Sequence, residues 1–141
     1  MQDSTVHELC AAADSIFNEF YGGCLADHPR EVNQFLQLSE MIPTRHYSSA
    51  YYGTFSQMGD KPLMPLSDKV LMIKVISTCL KAGMLLQKMK TSGYNQQQYT
   101  DFSGLITTIE VTFNMVRSIV PNQTKWVQDR IQEFKAELIN K

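Results

Sequence analysis

The chain offers three kinds of residue able to do chemistry: three histidines, three cysteines, and a run of lysines without acidic neighbours. His7, His28 and His46 fall on three different segments. His28-Pro29-Arg30-Glu31 sets a histidine and a glutamate three apart, yet carboxylate-bridged metal bundles place Glu before His and repeat the pair on two helices. A single copy in the reverse order, with the histidine ahead of a proline, reads as a helix-start histidine, and no metal site is expected. Cys10 and Cys79 lie within apolar stripes and read as small buried hydrophobes. Cys24 follows Gly22-Gly23 with no nearby His or Lys to favour its thiolate. An odd cysteine count without a CxxC pair points to a reducing compartment, away from disulfides and zinc. HExxH, GxSxG, GxxxxGK[ST] and GxGxxG are all missing from the sequence. No catalytic residue, metal or cofactor is assigned, and the chain is read as non-enzymatic.

The lysines carry more. Lys74, Lys81 and Lys88 are spaced by seven, so on a helix they drift only about 20° per step and form one ridge. From Lys69 through Lys90 there is no Asp or Glu, so the usual i, i+4 ion pairs are missing. Met72, Val75, Ile76, Cys79 and Leu86 are expected on the opposite, apolar side. Lysines have the charge and reach for phosphate oxygens and need no base-edge geometry. Lys69, Lys90 and Arg45 extend the candidate backbone-contacting set, and Tyr47 and Tyr51 are candidate stacking residues. The other readings of the ridge are a protein-docking surface and a solvated helix face.

Charge is split along the chain. Residues 1–60 carry two basic against eight acidic residues, a net −6, and residues 61–141 carry eleven against six, a net +5. Such asymmetry suits self-docking, a partner with a matching pattern, or a polyanion. The overall charge of −1 and a pI near 6.3 are not those of a free-standing nucleic-acid binder.

Helices must position these residues, and the spacing predicts helices nearly throughout. Val6, Leu9, Cys10, Ala13, Ile16, Phe17 and Phe20 recur at i, i+3, i+4 and i+7, one stripe on a helix capped by Ser4 or Thr5 and closed by Gly22-Gly23. Pro29 suits the first position of a second helix carrying Val32, Phe35 and Leu36, which Pro43 stops. Tyr47, Ala50, Tyr51, Phe55 and Met58 keep helical spacing over a weaker third segment, where Gly53 and the serines disfavour it. Residues 59–66, with Pro62 and Pro65, form the clearest linker. A long helix runs from Asp68 to about Lys90, capped by Ser67. A fifth, with Tyr99, Phe102, Ile106, Ile109, Phe113 and Val116, runs to Pro121. A sixth, capped by Asn122, carries Trp126, Ile131, Phe134 and Leu138.

No alternating run bounded by a turn supports a hairpin of strands. The expectation is an all-α, compact bundle of five to six helices, a single domain over residues 1–141. Leu9, Ile16, Phe17, Ile76, Cys79, Ile109, Phe113, Ile131 and Phe134 are its expected core. The eight methionines are spread over several elements and read as core filling. At 43% hydrophobic and 19% charged residues, the chain has enough apolar surface to offset ordering entropy, which excludes a disordered chain. No run approaches about 18 consecutive apolar residues, so no membrane span is expected. Met1–Thr5 lack the basic and apolar pattern of a secretory signal, and the cytoplasm is the expected location.

In size, helical class and basic ridge the chain resembles the small subunits of CRISPR effector complexes, compact bundles that line the path of guide and target. No sequence motif enters the resemblance, which is one of fold level. It implies RNA-guided antiviral defence, protein subunits of a larger complex as partners, and an RNA or single-stranded DNA backbone along the ridge. A subunit held by neighbours needs less charge of its own, because tethering raises the effective concentration. The alternative is a protein-only adaptor, chaperone or inhibitor of the phage or plasmid type, with no nucleic-acid role.

Overall fold

The longest helix organises the fold. In a computed structural model, residues 3–20, 28–42, 66–93, 95–116 and 121–139 are described. They form α1 (Asp3–Phe20), α2 (Pro29–Met41), α3 (Leu66–Ser92), α4 (Gln96–Met115) and α5 (Pro121–Ile139), with no strand among the described residues. The fold is an all-α helical bundle. The expected third segment, residues 45–58, lies outside the described residues, as do Gly22-Gly23 and most of the linker.

Local chemistry sets the helix ends. Pro29 opens α2 at a position where its missing N–H costs nothing. Ile42 then takes an extended backbone (φ −73°, ψ 121°), as a residue ahead of proline prefers. Gly93, at φ 85°, supplies the left-handed residue after α3. Asn95 caps α4, its Oδ1 accepting the Gln98 N–H at 2.8 Å. Three boundaries differ from expectation. Ser4, Thr5 and Ser67 lie inside first turns and do not cap. Helix α4 stops at Met115 because Val116 turns extended (φ −75°, ψ 123°), a conformation that suits its branched side chain. Pro121 therefore opens α5 and does not close α4, again at a position that needs no N–H, and Asn122 lies within that helix.

Helix α3 packs against all four other helices, most extensively α4. From Val70 to Leu80 every residue except Lys74 is buried. A helix surrounded on all sides has to be apolar on all sides. This has a measurable consequence: Asp68–Ser92 reaches a mean hydropathy of 1.5, enough by length and composition to cross a membrane, yet 67% of that window is buried inside the fold. Counting consecutive apolar residues missed this stretch, because lysines and threonines interrupt the run without lowering its mean much.

The core joins Val6, Phe17, Phe35, Ile76, Met89, Phe102, Ile109 and Phe134. Of the expected core, Leu9, Phe17, Ile76, Cys79, Ile109 and Phe134 are buried, whereas Ile16, Phe113 and Ile131 are only partly so. Helix α4 turns Ile109 and Thr112 fully inward, and Phe113, one residue beyond Thr112, rotates to the flank of the stripe. Two edge-to-face ring pairs tie distant helices: Phe17 to Trp126 at 5.4 Å and 87°, and Phe102 to Phe134 at 5.5 Å and 75°. The Tyr99 hydroxyl donates to the Leu138 carbonyl at 3.3 Å, and Lys135 pairs with Glu110 at 2.8 Å, fastening α4 to α5.

One polar bridge crosses from α1 to α5. Gln123 Nε2 donates to Asp14 Oδ1 at 3.2 Å, and Gln123 is itself buried. Burial pushes the Asp14 carboxyl above its ordinary value of 3.8, against the opposing pull of the Gln123 hydrogen bond and of Lys69. A carboxyl whose value is raised in the fold favours the folded state when protonated. That contribution is complete below 3.8 and is lost as pH rises through the raised value. Asp14→Asn, which keeps an acceptor for Gln123, should therefore stabilise the protein at neutral pH. The gain should shrink as pH falls toward 3.8, as urea unfolding across that range would show. An equal gain at every pH would mean that Asp14 does not titrate in the fold.

Candidate functional site

The expected ridge divides. Lys81 and Lys88 are exposed and stand one above the other on the C-terminal half of α3, with no carboxylate paired to either among the described residues. Lys74 continues their line but is half-buried, where α3 is otherwise enclosed. The Thr78 and Ser77 hydroxyls donate to its carbonyl at 2.6 and 3.0 Å, which removes their polar groups from competition with the helix. The apolar residues expected opposite the ridge, Met72, Val75, Ile76, Cys79 and Leu86, are buried, but so are Leu71, Ile73, Ser77, Thr78 and Leu80. The picture of a wholly solvated ridge with the core on one side is corrected accordingly.

Lys69 and Lys90 belong to other faces. At 100° per residue, Lys69 sits roughly 120° round the helix from Lys81, and Lys90 roughly 160° from Lys88. Lys69 acts electrostatically on Asp14 and Cys10 of α1. Lys90 Nζ lies 3.1 Å from Glu137 Oε1 of α5. Arg45, Tyr47 and Tyr51 lie outside the described residues, so the stacking expectation has no counterpart here. His7 and His28 are half-buried on separate helical segments, and no group of three His, Cys, Asp or Glu among the described residues could hold a metal. Cys10 and Cys79 are buried, and burial pushes each thiol up to about 12, so both stay protonated at neutral pH.

The acidic front is also divided. Helix α1 bears Asp3, Glu8, Asp14 and Glu19 with no Lys or Arg, and Glu8 and Glu19 are exposed while Asp14 turns inward.

Comparison with protein-family models, curated proteins and solved structures gives no match. The chemistry of the surface therefore has to be read from its own side chains.

Sequence reasoning missed an open groove of about 690 Å³ between α2, α3 and α5. Val32, Leu80, Leu86, Trp126 and Phe134 give it an apolar floor, and Lys90, Arg130 and Glu133 charge its wall. Trp126 and Arg130 are four residues apart on α5, which places the guanidinium 5.5 Å from the indole centroid. Arg130 Nε is shielded from solvent and lies 3.3 Å from Glu133 Oε2, an ion pair whose geometry falls short of a hydrogen bond. The exposed Met84 stands on the rim. Gly83 lies in the groove although it is in the middle of a helix, where glycine costs roughly 0.5–1 kcal/mol against alanine. A Cβ there would meet nothing closer than Phe134 Cζ at 4.0 Å, an ordinary contact. Close helix packing does not require this glycine. What it does is keep the groove deep. The mid-helix Gly83 and the Trp126-x-x-x-Arg130 spacing were the signals available in the sequence.

Proposed function

We propose that the chain is a non-enzymatic small helical subunit of a larger assembly, docking on protein neighbours and following a nucleic-acid backbone with Lys81 and Lys88. The observation that carries this reading is the exposed pair itself, unpaired with carboxylate among the described residues, on a stretch without any Asp or Glu from Lys69 to Lys90. Solvated helix faces usually interleave both signs of charge, and this one does not. Lys74 extends the line at reduced reach. The exposed Glu8 and Glu19 on α1 supply an acidic surface for a protein neighbour. The reading is comparable in size and class to the small subunits of CRISPR effector complexes and places the protein in the cytoplasm, in RNA-guided antiviral defence, with RNA or single-stranded DNA as the backbone followed.

The test is charge reversal of the exposed pair. Lys81→Glu/Lys88→Glu should weaken binding of single-stranded oligonucleotides similarly across sequences. Its log–log salt dependence should flatten by about two, close to one unit for each lost phosphate contact. Helicity and thermal stability should stay near wild type, since both side chains are exposed. Unchanged oligonucleotide affinity and salt slope would sink the nucleic-acid role. If the same variant then loses a co-purifying protein, the protein-only adaptor is the better reading. The exposed Met84 beside an apolar groove favours that second reading.

A further inference from the structure

We propose that the groove between α2, α3 and α5 is a binding site for a small amphiphilic carboxylate, a monoanion with a medium-length acyl body. The inference is independent of the lysine ridge. Its volume of about 690 Å³ falls in the roughly 300–1,000 Å³ range of small-molecule sites, which are largely apolar with a few placed polar groups. The floor of Val32, Leu80, Leu86, Trp126 and Phe134 suits an alkyl chain. Lys90, Arg130 and Glu133 leave the wall with one net positive charge, which a monoanion balances and a dianion would overshoot. Arg130 presents a planar donor fork matched to a carboxylate, and its shielded Nε still lacks a hydrogen-bond acceptor. Cys79 lies at the floor as a neutral thiol and adds no competing anion. Gly83 is the residue that keeps room for the chain, at a position where a side chain would fit.

The groove contains the only tryptophan of the sequence, so Trp126 emission reports on occupancy without a label. Decanoate below its micelle concentration should change that emission saturably, at one molecule per chain. Decanol should bind about tenfold more weakly, the loss of one charge-assisted contact. Lys90→Gln should weaken decanoate toward the decanol value and leave decanol unchanged. Gly83→Leu should abolish both while retaining the helical circular dichroism. If Gly83→Leu loses its helicity, Gly83→Ala serves in its place: it should bind decanoate less tightly yet melt at a higher temperature. Those opposite signs are not what a merely structural role would give. The absence of a saturable change in the wild type overturns the proposal, as does undiminished binding by a folded Gly83 variant. Equal affinity for decanol and decanoate reduces the site to an apolar cavity and overturns the carboxylate assignment. A response to phosphatidylglycerol vesicles without one to monomeric decanoate makes the groove a membrane contact and overturns it too.

Discussion

Phe102→Ala should lower the stability of the protein by about 3–5 kcal/mol, the range for deleting a buried aromatic ring. Phe102 is 1% exposed, sits on α4 facing α3, and meets Phe134 of α5 edge to face. Its loss removes both the buried area and the ring pair, and the rigid helices around it can close only part of the cavity. The nearby Phe113→Ala is the internal control. Phe113 is half-buried on the flank of the same helix, so its truncation should cost only about 1–2 kcal/mol, in proportion to the area it hides. Urea unfolding of the two variants decides between them. Equal losses would mean that α4 faces its neighbours with a different stripe.

Trp126→Ala should be comparably damaging, about 3–5 kcal/mol, for a different reason. Helices α1 and α5 meet through the Phe17–Trp126 ring pair and the Asp14–Gln123 hydrogen bond. Removing the indole breaks the first and also strips Arg130 of the ring face beneath its guanidinium. A double-mutant cycle with Phe17→Ala should return a coupling of about 0.5–1.5 kcal/mol beyond simple burial. A coupling near zero would show that the two rings are buried side by side without contributing to each other.

Much of this fold is legible in the sequence because each helix carries its own punctuation. Pro29 opens α2, and the proline after Ile42 closes it, by rules that act within two residues and need no tertiary information. Pro121 was read the wrong way round because proline both ends and begins helices; what settles it is the extended backbone at Val116, five residues earlier. The ridge was half legible. Seven-residue spacing fixes the common line of Lys74, Lys81 and Lys88, but the depth of each is set by what packs over it, and so Lys74 is half-buried and Lys81 is not. Lys69 and Lys90 joined the candidate set through proximity in sequence, whereas their helical phase turns them toward Asp14 and Glu137. The groove was not legible, since Val32, Gly83 and Arg130 come together only through the packing of three helices.

Helix α3 has the hydropathy of a bilayer-crossing segment and depends on four neighbours to hide it. During synthesis α1 and α2 emerge before it, but α4, its most extensive partner, is still to be made when α3 leaves the ribosome. For the interval needed to add residues 93–116, the nascent chain presents a long apolar helix with one side uncovered. Insertion machinery and other nascent chains compete for that surface, and a slow decoder in this stretch lengthens the exposure. The five lysines of α3 therefore have a use before the protein is folded at all. Each is costly in the middle of a bilayer, and together they bias the emerging helix toward waiting for its own partners.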